Sequence, residues 1–183
     1  MLIKGLLSKM GEDKKNTVLI IDDEPNNITE LTDILEKDYD VFAVVDSTEA
    51  VEAALEVLPS VILLDIIMPD IDGYEIITEL KKHDNTSNIP VIFITGLDSA
   101  EAEERGLALG AADYISKPFH APIVKLRVKN QISILERYAI ERDLNTVLKL
   151  QSDLVVANEL AEKSKEAAEH ASRAKSEFLT DES

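Results

Sequence analysis

Five short apolar runs punctuate the first two thirds of the chain: TVLIID (17–22), YDVFAV (39–44), SVILLD (60–65), IPVIFIT (89–95) and ADYIS (112–116). Most are continuous rather than alternating, and rich in Val and Ile. That pattern suits strands covered on both faces, as in a parallel sheet. Amphipathic segments with helical periodicity separate them, at 26–37, 47–58, 73–83 and 99–109. Ser47 and Ser99 are placed to cap helix N-termini. Pro25 suits a first helical turn, and Gly110 a left-handed helix end. Repeated strand–helix units predict an open α/β sheet with helices on both faces and right-handed crossovers. Five such units suit the flavodoxin-like, doubly wound order 2-1-3-4-5.

Beyond Pro122 the pattern changes. No further Pro or Gly occurs, and Ala, Glu, Lys, Leu and Arg dominate. The segment reads as one long helix, beginning as the fifth helix of the sheet domain and continuing as a coiled-coil extension. Ile140, Leu144, Val147, Gln151, Leu154, Asn158, Ala161, Lys165 and Ala168 recur by fours and threes, a heptad seam. Gln151, Asn158 and Lys165 share one type of seam position, where polar side chains cost stability and fix register. The expected organisation is a lead-in at 1–15, a sheet domain at 16–137 and a helical extension at 138–183. A second copy of the chain is the expected partner of that helix.

Composition excludes several function classes. The absence of cysteine rules out disulfides and thiolate metal sites, and fits a cytoplasmic setting. No apolar run is long enough to span a membrane. The opening MLIKGLLSKM lacks the length and cleavage site of a signal peptide. The net charge of −17 is concentrated in residues 1–120, which carry 9 Lys+Arg against 25 Asp+Glu; residues 121–183 carry 10 against 11. So acidic a domain repels phosphodiester backbones, and no nucleic-acid partner is expected.

The polar residues at the strand ends carry the chemistry. Asp22 and Asp23 close the first run, Asp65 the third and Thr95 the fourth, while Lys117-Pro118 follow the fifth. In an open parallel sheet these ends share one edge, where ligands bind. Clustered carboxylates raise one another's pKa unless a cation relieves them. Mg²⁺ fits, because it takes one or two carboxylates and keeps waters that phosphoryl oxygens can replace. Lys117 adds an ammonium and Thr95 a hydroxyl. Together they suit a phosphoryl group carried on a carboxylate. A lone Asp at a strand end is more often a cap or turn former; this set, at four ends in this order, is hard to produce by chance.

The motifs LIIDDEP, ILLDIIMPDIDGYE, PVIFITG and GAADYISKPF carry a resemblance. From residue 16 to about 130 the chain resembles the receiver domain of bacterial two-component response regulators. The resemblance implies that Asp65 is the phosphoacceptor. It implies that Asp23 binds Mg²⁺ directly and Asp22 mostly through water, with the backbone carbonyl of Ile67 as a further ligand. Lys117 would pair with Asp65 or its phosphoryl group, and Thr95 would hydrogen-bond a phosphoryl oxygen. Tyr114 matches the switch aromatic that turns inward when Thr95 moves, and Pro118 matches a proline in a cis Lys-Pro bond. The implied partners are a histidine kinase or phosphotransfer protein, and a second copy through the fourth helix, fifth strand and fifth helix. Apolar Ile67 and Leu97 near the water path imply slow self-dephosphorylation. Of the three histidines, His120 flanks the site's loop; it and His170 read as surface residues. Haloacid-dehalogenase-like phosphatases also form an aspartyl phosphate, but want an Asp where Ile67 stands.

The tail run AKSEFL (174–179) resembles the stretch before the phosphoaccepting histidine box of sensor histidine kinases. Neither that box nor an ATP-binding domain follows. The expectation is a receiver with a signalling helix that feeds a kinase module outside this chain. The alternative is a stand-alone regulator whose helical tail binds a protein partner.

Overall fold

The computed structural model describes residues 15–96 and 100–181. Its strands are β1 (Thr17–Ile21), β2 (Asp40–Val44), β3 (Val61–Asp65), β4 (Val91–Thr95) and β5 (Asp113–Ser116). They form one parallel sheet in the order β2-β1-β3-β4-β5, the flavodoxin-like order expected. The helices are α1 (Pro25–Leu35), α2 (Ala50–Val57), α3 (Gly73–Leu80), α4 (Ala100–Ala108) and α5 (Ala121–Asp181), with a 3₁₀ turn at Ser47–Glu49 before α2.

Side chains that alternate along a strand point to opposite faces, so each central strand feeds two cores. On one face Leu19, Ile21, Ile62, Leu64 and Phe93 pack with Ala54 of α2 and Ile76, Ile77 and Leu80 of α3. On the other Val18, Ile20, Leu63, Ile92 and Ile94 meet Leu31 and Leu35 of α1 and Val124, Val128 and Ile132 of α5. Every residue of β3 and β4 is buried. The edge strand β2 departs from the doubly covered pattern: its Phe42 is 49% exposed.

Pro25 lies in the first turn of α1, and Gly110 adopts φ +93° just past α4. Ser47 does not cap. Its neighbour Asp46 does, accepting hydrogen bonds from the Thr48 backbone N–H at 2.9 Å and hydroxyl at 2.6 Å. Ser47 instead turns inward, is buried, and donates its hydroxyl to the Pro69 carbonyl at 2.7 Å. A buried hydroxyl satisfied by a loop carbonyl leaves the solvent-facing cap to the adjacent carboxylate. Ser99, Leu97 and residues 1–14 of the expected lead-in lie outside the described residues.

The chain divides into two compact units, Met1–Ile134 and Leu135–Ser183. The first holds the sheet. The second is helical, with Leu144, Val147, Leu150 and Leu154 all more than half exposed. No helix among the described residues is long and apolar enough to cross a membrane.

Candidate functional site

The fully buried β3 delivers Asp65 to its carboxyl end, and β1 delivers Asp22 one residue beyond its own. Both carboxylates are buried, Asp22 completely. Lys117 follows β5 and reaches between them, with Nζ 3.2 Å from Asp65 Oδ1 and 3.3 Å from Asp22 Oδ2. Its backbone N–H donates to the Thr95 carbonyl at 2.9 Å, which ties the lysine to the end of β4. The Lys117-Pro118 peptide is cis. Asp22, Asp23 and Asp65 each offer an oxygen, all within 4.8 Å of one another. Three hard anionic donors within reach of one small cation are the donor chemistry Mg²⁺ takes.

The electrostatics are those of a site short of positive charge. Burial pushes the Asp65 carboxyl up to about 6; the Asp22 charge adds to the rise and Lys117 opposes it. Burial works against the Lys117 ammonium, but the charges of Asp65 and Asp22 outweigh it and raise its pKa. One ammonium is thus shared by two buried carboxylates. A divalent cation would relieve that shortage.

The loop after Asp65 is pinned from three sides. The Gly73 backbone N–H donates to the Ile66 carbonyl at 3.0 Å. Ser47 holds the Pro69 carbonyl, and the Asp72 carboxylate caps α3 by accepting from the Glu75 N–H at 2.8 Å. What Gly73 supplies to this loop is space. A Cβ there would lie 2.3 Å from the Asp65 carbonyl oxygen. The left-handed residue of the loop is Asp70, at φ +65°. Ile67, two residues after Asp65, is 62% exposed.

Thr95 is buried at the end of β4, in register with Ser116. Tyr114 is half-buried, its ring 5.8 Å from that of Phe93. Its hydroxyl abuts Gly106 of α4, where a Cβ would meet it at 1.9 Å. Phe93 also meets Tyr74 edge-on at 5.4 Å, and Arg105 stacks 4.0 Å over the Tyr74 ring. The histidines stand apart from these contacts: His83 faces Glu79 at 3.6 Å, and His120 and His170 are exposed.

Sequence reasoning missed Asn27. Its Nδ2 lies 2.9 and 3.0 Å from the two oxygens of Asp22. The available signal was an amide side chain one turn into the helix that follows the acidic pair, but spacing alone does not aim it.

Residues 18–129 match the response regulator receiver domain family, and the chain belongs to it. Among curated relatives, a probable cyclic di-GMP phosphodiesterase of Vibrio cholerae is 40% identical over 116 residues, 63% of this chain. The chain spans only 26% of that relative's length. Among solved structures, the receiver domain of a signal transduction histidine kinase from Syntrophus aciditrophicus is 33% identical with TM-score 0.61, covering 67% of this chain and 93% of that one. The receiver domain of a sensor histidine kinase from Pseudomonas aeruginosa, solved with magnesium coordinated in its active-site cleft, is 28% identical with TM-score 0.61, covering 65% of this chain and 98% of that one.

Proposed function

We propose that this receiver accepts a phosphoryl group on Asp65 from the phosphohistidine of a histidine kinase or phosphotransfer protein. An Asp65 carboxylate oxygen attacks phosphorus in line, the P–N bond breaks, and imidazole leaves. Asp23, Asp65 and the Ile67 carbonyl would hold Mg²⁺, with Asp22 acting through water, and the ion would supply positive charge to the transferred oxygens. Lys117 holds Asp65 in line before transfer and offers its ammonium to a phosphoryl oxygen afterwards. Thr95 donates its hydroxyl to a second such oxygen, and Tyr114 follows it as the switch. Ile67 is apolar and carries no proton acceptor for an attacking water, so loss of the phosphoryl group is slow.

The observation that carries this reading is the position of Asp65: buried at a strand end, 3.2 Å from Lys117 and grouped with Asp22 and Asp23. The test is incubation of the full chain with a small phosphoramidate donor and Mg²⁺, read by intact mass. Label should be acid-stable, base-labile, Mg²⁺-dependent and absent in Asp65→Asn. Equal labelling of Asp65→Asn would sink the reading.

The output is proposed to run through residues 138–183 as a signalling helix beyond a receiver at 16–137. Phosphorylation biases the face of α4, β5 and α5, and the helix pairs with that of a second copy as a coiled coil. Two features support a histidine kinase module as the recipient. The tail run AKSEFL is one. The other is that kinase receivers are among the similar solved structures. Such a relay operates in the cytoplasm.

A further inference from the structure

We infer that Asn27 is a positioning residue of this site, satisfying Asp22 so that Lys117 remains with Asp65. The inference rests on the reading of Asp22, Asp23 and Asp65 as a Mg²⁺ site. Asp22 is completely buried, and a buried carboxylate needs donors on both oxygens. Its Oδ1 accepts from the Glu24 backbone N–H at 2.9 Å and from Asn27 Nδ2 at 2.9 Å. Its Oδ2 lies 3.0 Å from the same Nδ2 and 3.3 Å from Lys117 Nζ. The amide therefore bridges both oxygens and fixes the plane of the carboxylate.

The second observation is the near-equality of the two lysine distances, 3.3 Å to Asp22 and 3.2 Å to Asp65. A shared ammonium moves toward whichever carboxylate is poorer in other donors. Asp65 also accepts from the Ile66 backbone N–H, whereas Asp22 Oδ2 is met by Asn27 and Lys117, so removing the amide leaves that oxygen to the lysine. The place of Asn27 is fixed by the first turn of α1, where Pro25 sets the backbone and the Asn27 N–H donates to the Glu24 carbonyl at 3.0 Å. Without the amide, Asp22 is short of a donor, and the flexible Lys117 swings toward it. Asp65 loses its cation, and Asp22 is turned away from the shared oxygen set.

Outer partners that orient ligand carboxylates typically change metal affinity about 10- to 100-fold. The experiment is calorimetric titration of Mg²⁺ into the EDTA-stripped full chain. Wild type, Asn27→Ala, Asp22→Asn and the double variant are compared, with the ¹⁵N signal of the Lys117 ammonium followed in each. Asn27→Ala should weaken Mg²⁺ about tenfold and shift the Lys117 signal. In the Asp22→Asn background the same change should alter affinity less than about twofold, because the residue it acts through is already neutral. Equal losses in both backgrounds would mean a general disturbance of α1 and overturn the inference, as would an unchanged affinity in Asn27→Ala. A wild type that takes up no Mg²⁺ overturns the metal reading along with it; uptake without coupling overturns this inference alone.

Discussion

At Asp65 the chemistry of the site and the stability of the fold oppose each other. Burial raises its pKa to about 6, above the ordinary carboxylate value, so between about pH 4 and 6 the folded chain holds a proton that the unfolded chain has lost. The stabilisation from that proton is complete below about pH 4 and lost as pH rises through about 6. In EDTA, wild type and Asp65→Asn should therefore have similar urea midpoints at pH 4, while at pH 7 the variant should be the more stable. Midpoints whose difference does not change with pH would contradict the assignment. Added Mg²⁺ should raise the wild-type midpoint at pH 7 by mass action and leave Asp65→Asn nearly unmoved. Gly73 sets the other constraint on this residue. A methyl group there would sit 2.3 Å from the Asp65 carbonyl oxygen and 3.0 Å from the Ile66 Cα, both backbone atoms with nowhere to go. Gly73→Ala should cost about 1–3 kcal/mol in denaturant unfolding and reduce phosphoryl acceptance, since the strain falls on the proposed acceptor itself. A variant with wild-type stability and labelling would show that the loop yields.

At the scale of elements, the sequence was most readable where burial alone decides the outcome. The central strands had to be continuous and β-branched to lie between two helical layers, so β1, β3 and β4 fall within a residue or two of the runs that announced them. Termini were less readable. Asp46 and Ser47 are both good capping residues, and which of them caps depends on a carbonyl at Pro69 that the local sequence does not reveal. The space that Gly73 leaves for Asp65, and Gly106 for Tyr114, depends on long-range approach in the same way, as does the aim of Asn27. The contact between α4 and β5 gives a prediction of its own. Gly→Ala inside a helix normally gains about 1 kcal/mol, yet at Gly106 the new Cβ would meet the Tyr114 hydroxyl at 1.9 Å and the Phe93 ring at 2.9 Å. The tyrosine tip can move and the buried Phe93 cannot. Gly106→Ala should therefore turn Tyr114 out to solvent and, with the overlap on Phe93 unrelieved, cost about 1–3 kcal/mol despite the helix gain. Solvent paramagnetic relaxation of the Tyr114 ring protons measures this; a ring as protected as in wild type would refute it.

For the whole molecule, the uneven charge decides which contacts between copies can form. Residues 1–120 carry 9 basic against 25 acidic side chains, whereas residues 121–183 are nearly balanced at 10 against 11. Two receivers brought face to face repel each other over the Debye length, about 10 Å at 0.1 M salt. Two copies of the helix do not. Pairing through the seam from Ile140 to Ala168 should thus persist at low ionic strength, and a receiver-to-receiver contact should strengthen as salt rises. The absence of native cysteine makes single-cysteine crosslinking a clean measurement of the seam. In a parallel, in-register pair, cysteines at Leu144, Val147, Gln151, Leu154 and Asn158 should crosslink readily, and those at Lys149, Asp153 and Val156, on the opposite face, should not. Leu150 and Ala157 border the same seam on one side. If phosphorylation at Asp65 reaches the helix as a rotation, beryllofluoride with Mg²⁺ should raise crosslinking at Leu150 and Ala157 at the expense of Gln151 and Asn158, and Asp65→Asn should show no such change. Uniform reactivity around the helix would rule out the paired seam. A clear seam that ignores beryllofluoride would leave the pairing intact and remove the helix as the path of the signal.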